Sequence, residues 1–208
     1  MAQAKKRKKF FDVEIPIIKK ETQLYGYELK ELEGRNIIYD LTRFLRGKGA
    51  ILKLNVKIKD NSALAEPKEL IVLPYFIRKM VRKGTNYVED SFSAECKDAF
   101  LRIKPFLITR KKVSRAVRKA LREKAREELI NYAKAKTVET LFDELMKNNI
   151  QKFLSLKLKK IYPLSFCEIR VFKLEKLKEK VQADIAKTPE KEKKQEYARG
   201  LKLLKVIL

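Results

Sequence analysis

The segment Lys104 to Arg126, KPFLITRKKVSRAVRKALREKAR, constrains this chain most, because strand-like residues run directly into a helix whose two faces differ in chemistry. At about 100° per residue, Arg115, Arg118, Lys119, Arg122 and Arg126 fall on one stripe, with Val113, Ala116, Val117, Ala120 and Leu121 opposite. One face has to dock on an apolar core; the other is compatible only with water or anions. Arginine dominates the charged stripe, and its planar fork of donors matches phosphate oxygens better than a lysine point charge does. Thr109 is the expected N-cap, with the helix running to about Ala135. Arginines in its first turn oppose the positive end of the helix dipole, a small cost that vanishes if phosphates sit there.

The whole chain carries the same bias. Its 51 Lys and Arg outnumber 27 Asp and Glu, for a formal charge of +24 over 208 residues. Such a charge repels itself unless a polyanion neutralises it, and nucleic acid does so by releasing condensed counterions. A membrane surface is a weaker alternative, since no run of apolar residues is long enough to span a bilayer and no signal-like start is present. Hydrophobic residues make up 45% of the chain, enough for a folded core. Cys96 and Cys167 have no partner at metal-ligand spacing and read as reduced thiols of a cytoplasmic protein. The sequence has no His, which removes Ser-His-Asp and Cys-His nucleophiles and His-ligated zinc. Asp12, Glu14, Asp40 and Asp60 lie on separate segments, without the close carboxylate pair a two-metal nuclease needs, so no cofactor, metal or catalytic residue is expected.

Patterning divides the chain into a basic arm over residues 1–9, a core over 10–174 and a Lys/Glu-rich extension over 175–208. The arm includes Lys5, Lys6, Arg7, Lys8 and Lys9, expected to lie along an anion. Phe10 to Ile18, interrupted by Pro16, reads as an extended segment packed at a sheet edge. Thr22 to Leu32 reads as a strand with Tyr25, Tyr27 and Leu29 inward, followed by Ile37 to Phe44 and Ala50 to Lys59, the three forming an antiparallel meander. In the last of these Leu52, Leu54, Val56 and Ile58 point inward. Asp60 to Pro67 reads as a loop, and Tyr75 to Gly84 as a short helix with Arg78, Arg82 and Lys83 on one exposed face. Phe92 to Cys96 and Ala99 to Ile103 form a hairpin. After the basic helix come helices from Thr137 to about Asn148 and from Ile150 to Lys160, then a strand from Ser165 to Lys173. The extension reads as helical or disordered, with Leu201 to Leu208 docking on a neighbour. The fold class is α+β: an antiparallel sheet or open barrel of about six to seven strands, three helices in the C-terminal half, and basic tails.

Several phrases in order resemble a known family. Arg102 to Lys112 (RIKPFLITRKK), Val117 to Ala125 (VRKALREKA) and Leu145 to Phe172 with Ile161-Tyr162-Pro163-Leu164 are similar to the archaeal and eukaryotic small-subunit ribosomal protein family S-one-e, also called S-three-a-e. Phe11-Asp12-Val13 through Pro16 resembles its opening strand, and Gly34-Arg35 precedes its second. The resemblance covers residues 10–174 and implies a structural RNA-binding protein on the small-subunit platform, near the exit of the messenger channel and the 3′ end of the small-subunit RNA. Implied partners are that RNA and neighbouring platform proteins, with messenger RNA and initiation factors as further candidates; no membrane is implied. Where the family has a Thr-Lys-Asp-Gly turn, this chain has Cys96-Lys97-Asp98-Ala99, so the turn is expected to take another form. A free RNA or DNA chaperone, or a chromatin-like protein, would share the charge without needing the ordered phrases. The RNA-binding candidates are Arg110, Lys111, Lys112, Arg115, Arg118, Lys119, Arg122 and Arg126, joined by Arg78, Arg82, Lys83 and the arm.

Overall fold

The computed structural model describes residues 7–59 and 62–177. Lys5 and Lys6, and the expectations for the chain beyond Leu177, lie outside the described residues.

Alternating apolar residues build most of the sheet. In β4 (Ala50–Lys59) Ala50, Leu52, Leu54 and Val56 are buried while their neighbours are half-exposed, as the sequence predicts. Strand β4 pairs antiparallel with β3 (Asn36–Asp40) on one side and with β5 (Ser62–Val72) on the other. The meander is therefore β3–β4–β5, and the stretch expected to be a loop supplies its third strand. Small inward residues, Ala63 and Ala65, and Pro67 in the middle disguise this strand. The register shifts between Lys53 and Leu54, opposite Pro67, where the ladder lacks a donor.

The first strand, β1 (Lys9–Ile15), pairs with β2 (Lys20–Gly26) as an antiparallel ribbon. It is not an edge: β1 lies between β2 and β5, meeting β5 in parallel through Val13↔Ala63 and Glu14↔Leu64. The expected strand from Thr22 to Leu32 stops at Gly26 and gives way to a 3-10 helix over Leu29–Leu32. Its faces are also opposite to expectation. Leu24 packs on the core, whereas Tyr25 and Tyr27 are 51% and 43% exposed.

Further along, β6 (Tyr87–Glu89) and β7 (Phe92–Glu95) both pair with the long β8 (Ala99–Thr109), and β8 pairs along its other edge with β9 (Leu164–Leu177). Among the described residues the sheet has nine strands, with the path β2-β1-β5-β9-β8-β6 as its backbone. The expected β7–β8 hairpin is present. Its turn is closed by Cys96, whose amide donates to Ala99 O at 2.9 Å and whose thiol donates to the same oxygen at 3.0 Å. Ala99 has no positive φ, in keeping with the loss of a glycine there. Cys167, in β9, has its thiol pushed up to about 12 by burial and then by Glu168, so it stays protonated and unreactive.

Among the described residues four α-helices complete the fold. Helix α1 (Pro74–Met80) ends before Val81, which is extended, so Gly84 caps a later turn and not this helix. Helices α2 (Arg115–Lys134), α3 (Val138–Met146) and α4 (Asn149–Leu158) follow β8 and lead into β9. Helix α2 lies against β6, β7 and α4, and α4 against β9. Phe142 of α3 meets Phe172 of β9 edge-on at 5.0 Å, both fully buried. Tyr132 of α2 donates to Glu144 of α3 at 2.8 Å, and Lys136 pairs with the same carboxylate, tying the two helices together. Strand β9 continues past the expected boundary at Leu174. Glu175 accepts Arg102 Nε at 2.7 Å and Ser93 Oγ at 3.1 Å, and the Arg102 bond holds its carboxyl below the usual range.

A buried ion pair joins the sheet to the helices. Lys48 Nζ lies 2.5 Å from Glu168 Oε2, with side chains 11% and 10% exposed, and donates to Asn148 Oδ1 at 3.1 Å. Gln151 donates to Leu145 O at 3.2 Å and approaches Glu168 at 3.5 Å. Asn148 adopts the left-handed conformation, φ 58°, which asparagine tolerates better than most residues.

Candidate nucleic-acid interface

Two basic loops meet at one end of the sheet. Because Tyr87 pairs with Ile108, the loop entering β6 and the loop leaving β8 emerge side by side. The first carries Arg82 and Lys83 around Gly84, φ 82°, and is closed by Thr85 Oγ1 donating to Arg82 O at 2.7 Å. The second carries Arg110, Lys111 and Lys112, all exposed.

Asn86 and Thr109 fasten the loops to each other. Thr109 N donates to Asn86 O at 2.9 Å, Asn86 N donates to Thr109 Oγ1 at 3.1 Å, and Thr109 Oγ1 lies 2.7 Å from Lys111 O. The Asn86 side chain then accepts Val113 N at 2.9 Å, which sets the approach to α2. Thr109 is thus a fully buried strand end and not the helix cap. The cap is Ser114, whose hydroxyl accepts Val117 N at 3.4 Å. Asn86→Ala removes the Val113 acceptor and is expected to cost about 1–2 kcal/mol. Hydrogen exchange should show faster exchange at Val113 with little change in the core of β8.

Helix α2 has no acidic residue in its first turn, so its positive dipole end, Arg115 and the Arg110–Lys112 loop concentrate positive charge in one place. Arg82, Lys83, Arg110, Lys111, Lys112, Arg115 and Arg122 have no ion-pair partner among the described residues. Lys119, also exposed, pairs loosely with Glu123 at 3.7 Å.

The charged stripe is continuous only over the N-terminal half of α2. Buried residues Leu121, Ala125, Leu129 and Ala133 recur every four positions. Four residues overshoot one turn by about 40°, so the buried line winds around the helix, and Ala133, about five turns on, faces the way Arg115 does. This places Ala116, expected to dock, in solvent. It also leaves Arg118 half-buried at the border, its Nε enclosed without a hydrogen-bond partner among the described residues. Arg126 is turned onto the protein, 3.6 Å from Asp90 and 5.4 Å over the Phe92 ring.

Arg78 is exposed on α1, and Arg82 and Lys83 belong to the following loop, so the three do not share a helix face. Arg7, Lys8 and Lys9 are exposed at the start of β1, at the opposite end of the sheet path from β6.

A profile of the ribosomal S3Ae family matches residues 2–178. The chain belongs to that family. Among its relatives, the small ribosomal subunit protein eS1 of Nanoarchaeum equitans is 28% identical over 179 residues, covering 82% of this chain and 90% of that protein. The eS1 protein of Halorubrum lacusprofundi is 29% identical, covering 76% and 75%, and that of Methanothermobacter thermautotrophicus 33% identical over 95 residues, covering 45% and 49%.

Within this S3Ae chain, sequence reasoning did not single out Asn86, and it left Tyr87 as a tyrosine free of the core but not as a stacking platform. Tyr87 is 57% exposed and its ring stacks on buried Phe106 at 5.8 Å and 18°, presenting a flat face beside the basic loops. A strand of three residues is too short for alternation to register, and Asn86 had only its turn-forming chemistry to mark it.

Proposed function

We propose that this S3Ae-family protein is a structural constituent of the small ribosomal subunit that binds ribosomal RNA and has no catalytic role. The observation that carries the reading is the Asn86–Thr109 fastening. It holds Arg82 and Lys83 next to Arg110, Lys111 and Lys112 and leads into the exposed stripe of Arg115, Lys119 and Arg122. Rigid donors on a helix and on pinned loops suit the irregular phosphate rows of folded RNA, where backbone contacts position the protein and shape decides the partner. Arg118 would add its outer guanidinium nitrogens, while Arg126, already engaged with Asp90, would contribute little. Arg78 and the N-terminal arm, Lys5 to Lys9, extend the contact as separate patches.

The names of the relatives, all small ribosomal subunit proteins, favour assembly into that subunit. The family resemblance favours a place on the platform near the messenger exit, with neighbouring platform proteins, messenger RNA and initiation factors close by, and hence a cytoplasmic location. Among the described residues no helix is long and apolar enough to cross a membrane. Gradient sedimentation tests the reading: the tagged protein should travel with small subunits and stay there through moderate salt, and its RNA crosslinks should fall near the 3′ end of the small-subunit RNA. Recovery only in light fractions would favour a free chaperone instead.

A further inference from the structure

The ribbon β1–β2 turns an aromatic face outward. Phe10 and Tyr25 are cross-strand partners with ring centroids 4.9 Å apart, and Phe10 is 68% exposed. Tyr27 follows at 43% exposed, and Lys8 Nζ stands 5.6 Å from the Tyr25 ring and 5.2 Å from the Tyr27 ring. The inner side of the same ribbon, Phe11, Val13, Ile15 and Leu24, already packs on the core, so the outer rings serve no interior. The ribbon pairs with β5 through Val13 and Glu14, and its Phe10 end is backed by buried Leu32 of the 3-10 helix, so the rings stand on a supported surface.

We infer that Phe10, Tyr25 and Tyr27, with Lys8 beside them, form a stacking platform for unpaired nucleobases of a single-stranded RNA segment. The chemistry of the face selects this occupant. Its apolar members are all planar rings, and no leucine, isoleucine or valine shares the outer side of the ribbon. A protein-docking patch of this size would be expected to mix in aliphatic residues, whereas rings with adjacent cations are how single strands are held without sequence preference. Lys8 supplies positive charge for a phosphate at the ring end of this face, whereas Asp12, Glu14 and Glu21 make the far end of the same face acidic, so a strand would be held over the rings and not along the whole ribbon. Arg35 Nη1 donates to Tyr25 O at 3.0 Å, which fixes the backbone under the middle ring. The platform rests on the RNA-binding reading above but on none of the residues of α2.

The test uses the full chain and fluorescence anisotropy with a short unpaired oligoribonucleotide and its abasic analogue, which keeps the phosphates and lacks the bases. Replacing Phe10, Tyr25 and Tyr27 together by Ala should weaken binding to the base-bearing strand roughly 10- to 100-fold. Binding to the abasic strand should not change, and the slope of log affinity against log salt should stay the same because no charge is lost. A triple Leu variant, which retains apolar bulk and protects against misfolding, should behave like the Ala variant. Equal losses on both strands, full rescue by Leu, or a variant that binds RNA normally yet fails to enter small subunits would each overturn the proposal. Charge reversal on α2 separates the two sites: if that variant keeps its affinity for small-subunit RNA while the Ala variant loses the unpaired strand, the helix reading fails and the platform stands.

Discussion

Charge reversal at Arg115, Lys119 and Arg122 together should lower affinity for small-subunit RNA by roughly 10² to 10³ near 0.1 M salt and flatten the log–log salt slope by about 2.7, if each residue neutralises one phosphate. These three are chosen because they are exposed on the free half of the α2 stripe. Arg118 is avoided because its Nε is enclosed, and Arg126 because its replacement would also break contacts with Asp90 and Phe92. Stability should move little, and in part the other way. A glutamate in the first turn complements the helix dipole by a few tenths of a kcal/mol, which offsets the repulsion that Lys119→Glu introduces against Glu123. Filter binding across a salt series, with a thermal melt alongside, decides it. An unchanged slope would show that the stripe faces solvent in the complex.

The second large effect concerns folding. Glu168→Leu leaves the Lys48 ammonium with only Asn148 as a partner in a site where its side chain is 11% exposed. Removing one member of a buried pair costs about 3–5 kcal/mol, because the remaining charge is desolvated without compensation. For a chain of this size that is a loss of about 6–20 °C in Tm. The double variant Lys48→Met, Glu168→Leu should recover much of the loss, since two apolar side chains of similar volume no longer strand a charge. Calorimetry on the wild type, the single variant and the double variant distinguishes this from simple loss of packing, which the double change would not repair.

The sequence was legible where one physical effect dominated. Alternation in β4 is clean because large residues, Leu52, Leu54 and Val56, mark the inward side, and the limits of α3 and α4 follow from Thr137 and the Asn148-Asn149 break. It misled where two effects competed. In β5 the inward residues are alanines and Pro67 argues for a loop, although the strand accommodates it at a register shift. In β2 Tyr25 alternates correctly but on the outer face, because Leu24 takes the inner one, and Tyr27 just beyond the strand is exposed as well. For α2, an ideal wheel gives two fixed stripes, whereas packing every fourth residue makes the buried line wind and brings the still half-exposed Arg126 against Asp90. The Lys48–Glu168 pair and the Asn86 fastening join segments far apart in sequence, and local patterning carries no information about either.

Strand β9 sits between β5 and β8 in the sheet path, so the strand formed after all the other described elements occupies an interior position. During synthesis the β3–β4–β5 meander and the β6–β8 unit can each form locally, but neither can bond to the other until the segment around Val171 to Lys173 has left the exit tunnel. Assembly of the basic surface on a common frame is therefore a late, long-range event that raises the contact order and slows folding. Nascent chains shorter than this should hold two unjoined β layers with open edges, the form in which a strongly cationic protein most needs a chaperone or its RNA.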